Sequence, residues 1–299
     1  MAEHHHHAPA SFTRAFAIGI SLNLAYVLGE TFYGLLAHSL ALLADAGHNL
    51  GDVLGLAAAW LASSLGSRRP SARYTYGLRR SSILAALGNA IVLLIITGGV
   101  SWEALRRLAA PEPANPHLVM AVAAVGIAIN GATALMFLRG RQHDLNLRAA
   151  FAHMAADALV ALGVVIGGAL MLATHWLWLD PVLSLAISAI IVLGTWSLLK
   201  DSLNLALDAV PAGIDSAEVL DFLKTQPGVA TVHDLHIWPM STSETALTCH
   251  CLMPAGHPGD AFLVHLSQEL HAHFDIDHTT IQIETDPAIA CELESDRVV

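Results

Sequence analysis

Two histidine–aspartate pairs stand inside apolar stretches of the sequence. One is His48-Asn49-Leu50-Gly51-Asp52 and the other is His153-Met154-Ala155-Ala156-Asp157. Both read His-x-x-x-Asp. On a helix, residues four apart share one face, one turn from each other. A carboxylate at the centre of an apolar membrane helix costs about 2.5–3.5 kcal/mol on insertion scales, so two of them need a compensating partner. A divalent cation is the simplest one. Two imidazoles and two carboxylates from facing helices make a four-coordinate N2O2 shell, which suits Zn²⁺ in tetrahedral geometry. Co²⁺, Fe²⁺ and Cd²⁺ are also compatible, because affinity alone separates such ions poorly. With no thiol in the apolar part, Cu⁺ is disfavoured, and the mixed donors disfavour Mg²⁺. Two other readings stay open: each pair hydrogen-bonds within its own helix and holds the bundle together, or the four groups relay protons without a metal.

The composition says what must position these groups. Of 299 residues, 55% are hydrophobic and 13% charged, and mean hydropathy is +0.56. Soluble domains carry about 25% charged residues, which excludes an ordinary soluble enzyme, a disordered chain and a coiled coil. An integral membrane protein is the remaining class. Six apolar runs are long enough to cross a bilayer, at 15–36, 40–64, 82–105, 117–138, 150–174 and 177–199. The two His-x-x-x-Asp pairs fall in the second and fifth. No small-residue cleavage pattern ends the first run, so no secretory leader is expected.

Loop arginines set the expected orientation. The 2–3 connection carries Arg68, Arg69, Arg73, Arg79 and Arg80, and the 4–5 connection carries Arg139, Arg141 and Arg148. The 1–2 and 5–6 connections carry no Lys or Arg. Both termini are therefore expected in the cytoplasm, with Arg106 and Arg107 reaching to the outer interface. Trp102, Trp176 and Trp178 read as interface anchors.

Past residue 207 the pattern changes. Residues 208–299 hold fifteen acids and two bases, whereas residues 1–207 hold ten acids and twelve bases. An acidic tail of this kind does not suit nucleic acid. Residues 216–225 and 260–274 read as helices, and 229–238, 245–253 and 279–284 as strands. The order αββαβ predicts a small sheet with helices on one face. The expected organisation is a tail (1–14), a six-helix all-α transmembrane domain (15–207), a C-terminal α/β domain (208–287) and an acidic tail (288–299). His4 to His7 read as a metal-handling tract, a loose low-affinity tract or an engineered tag.

Other polar groups inside the apolar runs are less decisive. Asp45, three residues before His48, either guides a cation inward or caps its helix. Asn23 and Glu30 share a face of the first run and read as bundle hydrogen bonds or a wetted cavity wall. Asn89 and Asn130 read as packing between helices. Gly88, Gly98, Gly99, Gly167 and Gly168 read as sites of close helix approach.

Four stretches together resemble the cation diffusion facilitator family of proton-coupled zinc and heavy-metal exporters. They are Ser39 to Asp52, Arg73 to Arg79 with Ile83, Leu84 and Ala85, Leu145 to Asp157, and His233 to Trp238. The resemblance implies a homodimer with six spans per protomer, embedded in a lipid bilayer, in bacteria the cytoplasmic membrane. It implies a cytoplasmic C-terminal domain of ferredoxin-like, metallochaperone-like shape. It implies export of Zn²⁺ against inward proton flow, serving metal homeostasis and resistance, with no organic cofactor and no enzymatic activity. It assigns the transport site to His48, Asp52, His153 and Asp157, and the His at position 48 resembles the zinc-preferring members. It points to His233, His250 and Glu284 as ligands of a cytoplasmic metal, regulatory or structural, with His265, His278 and Asp286 as weaker candidates. A Cys-x-x-Cys found near the end of some relatives is missing here. Only Cys291 stands, and no thiolate-rich tail site is expected.

The ligand set also suits proton exchange. Metal binding needs neutral imidazole and ionised carboxylate, and free imidazole titrates near 6.5, so protons compete for the same atoms. Rival classes leave marks that differ. A membrane metal sensor with a structural ion would carry an output domain, an intramembrane metalloprotease would carry His-Glu-x-x-His, and a channel would pass ions regardless of the pH gradient. No His in this sequence is followed by Glu.

Overall fold

Long apolar runs closed by short polar breaks produce six long helices. They are α1 (Ala10–Leu36), α2 (Leu40–Gly66), α3 (Ser81–Ala109), α4 (Pro116–Phe137), α5 (Leu145–Thr174) and α6 (Leu179–Ala206). A computed structural model describes residues 10–138, 145–288 and 291. His4 to His7, Arg139, Arg141 and most of the expected 288–299 tail lie outside the described residues. Among the described residues, four helical segments are long and apolar enough to cross a membrane: 81–109, 116–136, 151–174 and 179–206. The α2 helix is 27 residues long, but Asp45, His48, Asn49 and Asp52 replace apolar residues along it.

The chain divides into two compact units, residues 1–57 with 89–197, and residues 58–88 with 198–299. In the first unit, Leu42, Leu93, Val119, Ala123, Val164, Met171 and Ile187 form a buried core. Its turns are tight. Between α1 and α2 the chain reverses at His38, φ 51°, and between α5 and α6 at His175, φ 56°. The left-handed region tolerates His better than most residues. Arg107 donates to the His38 carbonyl at 2.6 Å, satisfying a carbonyl at the end of α1. Asn115 caps α4 by accepting from the Leu118 N–H at 3.2 Å, with Pro116 at the first helical position.

Several glycines permit close approach in this unit. A Cβ on Gly51, between His48 and Asp52, would lie 2.9 Å from Leu93 of α3. A Cβ on Gly126 of α4 would collide with the hydroxyl of Tyr26 of α1. Gly167 and Gly168 likewise face Leu183 and Met120, whereas among the described residues nothing lies within 4 Å of a Cβ added to Gly88, Gly98 or Gly99.

The second unit contains α7 (Ser216–Lys224), β1 (Thr231–Pro239), β2 (Thr245–Leu252), α8 (Asp260–Phe274) and β3 (His278–Glu284). The expected αββαβ order is present. The sheet order is β1-β2-β3, with β1 antiparallel and β3 parallel to β2. A parallel pair needs a crossover, and α8 provides it. Asp215 caps α7 through the Ala217 N–H at 2.8 Å. Val219 and Leu223 of α7, Leu266 and Leu270 of α8, and Ile237, Leu247, Cys249 and Cys251 of the sheet close one core. Arg79 pairs with Glu244 and Arg80 with Asp208 within this unit.

Tyr26 is buried and its hydroxyl is committed to Glu30, so it yields little space. Gly126→Ala is expected to destabilise the protein by about 1–3 kcal/mol through overpacking, read as a lowered midpoint in thermal unfolding of the detergent-solubilised chain. Gly131→Ala on the same helix, where nothing lies within 4 Å of an added Cβ, is the control that leaves the midpoint in place.

Candidate metal centre

The start of α2 is held from two sides. Ser39 accepts from the Leu42 N–H at 3.3 Å, as a residue preceding a helix does for the orphan donors of its first turn. Asp180, at the start of α6, accepts from the Ser39 hydroxyl at 2.5 Å, from the Leu40 N–H at 2.6 Å and from the Ala41 N–H at 3.4 Å. A carboxylate at a helix N-terminus is further favoured by the helix dipole. Both Ser39 and Asp180 are buried. This clamp fixes where α2 begins, and hence the positions of His48 and Asp52 two and three turns later.

Glu30 of α1 braces the next stretch of α2. It is 1% exposed, accepts from the Tyr26 hydroxyl at 2.9 Å and accepts from Asn49 Nδ2 at 3.1 Å. Of the two readings of Glu30 given above, the hydrogen bond between helices is the one found. Asn49 follows His48 directly, so α1 is tied to the backbone that carries the candidate ligand. Asp45 is also buried.

The two His-x-x-x-Asp pairs converge. His48 and Asp52 on α2 and His153 and Asp157 on α5 each present one ligand atom, and all four atoms lie within 4.8 Å of one another. His153 Nε2 is 3.1 Å from Asp52 Oδ2 and 3.6 Å from Asp157 Oδ2. His48 Nε2 is 3.4 Å from Asp157 Oδ1 and 3.9 Å from Asp52 Oδ2. Ligand bonds of about 2.0–2.1 Å in a tetrahedral shell set neighbouring donor atoms roughly 3.3 Å apart, and these separations bracket that value. The imidazole rings lie edge to face, 6.0 Å between centroids at 76°, so they do not stack against each other. Each carboxylate meets the histidine of the other helix more closely than that of its own. The hydrogen bond His153 makes with Asp52 thus crosses between helices, against the reading in which each pair bonds within its own helix. The centre is open on one side, since Asp157 is 4% exposed and His153 42%. His48 Nδ1 is buried and has no hydrogen-bond partner among the described residues.

A second cluster lies on the sheet of the other unit. His233, His250, Glu284 and Cys291 each offer a ligand atom, all within 4.8 Å of one another. His233 and His250 are cross-strand partners on β1 and β2, and Glu284 ends β3 opposite Leu252. His250 Nδ1 is 3.0 Å from Glu284 Oε1 and 3.6 Å from Cys291 Sγ. His233 Nε2 is 3.4 Å from Glu284 Oε2 but outside hydrogen-bond geometry. Partial burial works against ionisation of Glu284, yet its carboxyl is held below the usual range by Cys291, His233 and His250 together.

The expected alternation along β2 is observed. Cys249 and Cys251 face the core, 3.9 Å apart, and His250 faces the other way. The hydrogen bond with Cys251, then burial, pushes the Cys249 thiol well above its ordinary range. The weaker candidates are not brought in. His265 and Asp286 are exposed, Asp286 accepts from the Ala288 N–H at 2.9 Å, and His278 packs edge-on against Tyr76 at 5.8 Å.

Sequence reasoning missed four contributors. Asp180 was not singled out, although an acid opening a run of apolar residues is a cap signal. Asn49 carried no signal apart from its neighbour His48. Asp234 orients His236 at 2.8 Å and lies 3.6 Å from His250 Nε2, an arrangement that depends on a bulge. Cys291 was set aside for lack of a second cysteine, and its partners turn out to be histidines and a glutamate.

Removing Asp180 leaves the Ser39 hydroxyl and the Leu40 N–H buried without their acceptor. Asp180→Ala is expected to cost about 2–3 kcal/mol of stability and to weaken cation binding at the membrane centre, measured by chemical unfolding and by zinc titration of the purified protein. Asp180→Asn, which keeps an acceptor oxygen, is expected to recover part of both.

Comparison with known proteins places the chain in a family. The family described as "Cation efflux transmembrane domain" matches residues 16–205, and "Cation efflux protein, cytoplasmic domain" matches residues 211–286. The chain is 35% identical to the zinc transporter ZitB of Escherichia coli (strain K12) over 294 residues, covering 96% of this chain and 94% of that protein. It is 35% identical to the metal cation efflux system protein CzcD of Cupriavidus metallidurans, covering 96% and 91%. It is 29% identical to the cadmium, cobalt and zinc/H(+)-K(+) antiporter of Bacillus velezensis, covering 99% and 97%. With a helical membrane part, a small C-terminal sheet domain and both family matches in order along one sequence, the chain belongs to the cation efflux family, the cation diffusion facilitators.

Proposed function

We propose that this protein exports divalent cations, Zn²⁺ foremost, from the cytoplasm in exchange for protons, using His48, Asp52, His153 and Asp157 as the transport site. The observation that carries the reading is the convergence of two imidazoles and two carboxylates from α2 and α5 within 4.8 Å. Two neutral and two anionic donors cancel the charge of one divalent cation, which removes the cost of holding Asp52 and Asp157 among apolar helices. The donor set favours Zn²⁺ and Cd²⁺ over Mg²⁺ or Ca²⁺. The names of the relatives, zinc transporter and cadmium, cobalt and zinc antiporter, agree with this choice.

Proton exchange follows from competition at the ligand atoms. A site facing a neutral compartment keeps imidazole neutral and binds metal; facing a more acidic one, it takes up protons and releases the ion. The open side of the centre suits an ion that must leave. Rocking of helix pairs about a site near the midplane supplies alternating access. In this reading α1 to α6 are six spans of residues 15–207, in the bacterial cytoplasmic membrane. The arginine-rich connections support this reading with both termini on the cytoplasmic side. Residues 208–287 form a ferredoxin-like cytoplasmic domain through which two protomers associate, and its acidic surface draws cations toward the inner mouth. His233, His250 and Glu284 bind a cytoplasmic metal there.

Proteoliposomes with an imposed pH gradient test the proposal. Zinc is expected to move against the proton flux in the wild type, with counter-moving protons, and flux is expected to fall to background in Asp157→Ala. Flux that survives Asp157→Ala moves the transport site elsewhere. Flux indifferent to the gradient points to a channel, and bound zinc without flux to a sensor.

A further inference from the structure

The geometry points to Cys291 as the thiolate that closes the C-terminal cluster into a four-ligand His233/His250/Glu284/Cys291 site for a soft or borderline divalent cation. This rests on the reading of that cluster as a metal site, and adds the donor that decides its charge and selectivity.

Four observations meet at this point. The first is the convergence itself: with Cys291 included, four different side chains bring ligand atoms within 4.8 Å, enough for a tetrahedral shell with no solvent ligand. The second is His233. Its side chain is 10% exposed and its Nε2 is buried without a hydrogen-bond partner among the described residues. A buried imidazole nitrogen aimed at Glu284 without bonding to it is costly in a purely structural cluster and is satisfied by a cation. The rings of His233 and His250 lie edge to face at 71°, 5.2 Å apart, so they do not stack.

The third observation is the support behind His250. Its Nδ1 faces Glu284 and Cys291, and its Nε2 lies 3.6 Å from Asp234 Oδ2. At 3.6 Å this carboxylate is beyond hydrogen-bond distance, but its charge favours a proton on Nε2 and so leaves Nδ1 toward Glu284 and Cys291 as the metal-facing nitrogen. Asp234 reaches that position from a left-handed backbone, φ 50°, in the bulge where β1 shifts register between His233 and His236. The fourth is charge. Two imidazoles with one carboxylate leave a bound divalent cation with net positive charge. A thiolate brings the shell to neutrality, as the two carboxylates do at the membrane centre. On binding, the Cys291 thiol proton passes to solvent as the sulfur–metal bond forms. A sulfur donor favours Zn²⁺, Cd²⁺ or Co²⁺ over Mg²⁺, Ca²⁺ or Mn²⁺. Cys249 and Cys251 cannot take this role, because they point to the opposite face of β2, into the core.

Cobalt loading of the full-length, detergent-purified protein gives a direct test. A thiolate bound to Co²⁺ produces a near-ultraviolet sulfur-to-metal charge-transfer band, and the membrane centre, which has no sulfur donor, produces none. The wild type is expected to show the band, and so is a His48→Ala, Asp157→Ala double variant. Cys291→Ser is expected to lose it while retaining visible cobalt absorption. A wild type without the band, or a band that survives Cys291→Ser, overturns the proposal. Cobalt retained by the His48→Ala, Asp157→Ala variant without a band sinks the thiolate alone. Loss of all cobalt in that variant sinks the C-terminal metal site and the thiolate together.

Discussion

Asp52 and Asp157 are carboxylates held among apolar helices, and the architecture of the membrane unit follows from neutralising them. A buried charge without a partner is one of the most costly features a membrane helix can carry. The histidines one turn before each aspartate do not answer it alone, because the closer contact runs across to the opposite helix, at 3.1 Å from His153 to Asp52 and 3.4 Å from His48 to Asp157. The pairs are thus interlocked between α2 and α5. In the proposed reading, a cation with two positive charges completes what the imidazoles begin.

Such a site requires its helices to be registered closely, and the supports lie away from it. Ser39 and Asp180 fix the beginning of α2. Tyr26, Glu30 and Asn49 tie α1 to the turn of α2 beside His48. Gly51 lets α3 come against α2 at Leu93. Each uses a buried polar group with its partner in place, or a missing side chain. Together they make the ligand positions a property of the bundle and not of one helix. The C-terminal cluster solves the same donor problem on a sheet. There direct cross-strand pairing does the aligning: His233 stands opposite His250, so both face the same side of the sheet, and the bulge that follows, with Asp234 and Leu235 opposite Cys249, brings the Asp234 carboxylate near His250.

Much of this was legible in the sequence because it is local. His-x-x-x-Asp places two ligands on one helical face wherever the helix sits, and alternation along 245–253 separated His250 from Cys249 and Cys251 correctly. The αββαβ order came from periodicities of two and 3.6. Three features depend on contacts distant in sequence and were not legible. Asp180 meets Ser39 across 141 residues. The bulge at Asp234 breaks the alternation that strand reading relies on. Cys291 is recruited by side chains that come from three different strands. Gly98 and Gly99 allow helix approach, yet among the described residues nothing lies within 4 Å of a Cβ added there, because small residues permit contact without requiring it.

The central claim is that the four groups of α2 and α5 hold one cation in a four-coordinate nitrogen and oxygen shell. X-ray absorption at the zinc edge, on a His233→Ala, His250→Ala, Cys291→Ser variant loaded with zinc, examines that shell with the C-terminal cluster removed. The account predicts four light donors at about 2.0–2.1 Å, with scattering from two imidazole rings and none from sulfur. A six-coordinate oxygen shell, a shell with no imidazole signal, or no retained zinc would contradict it.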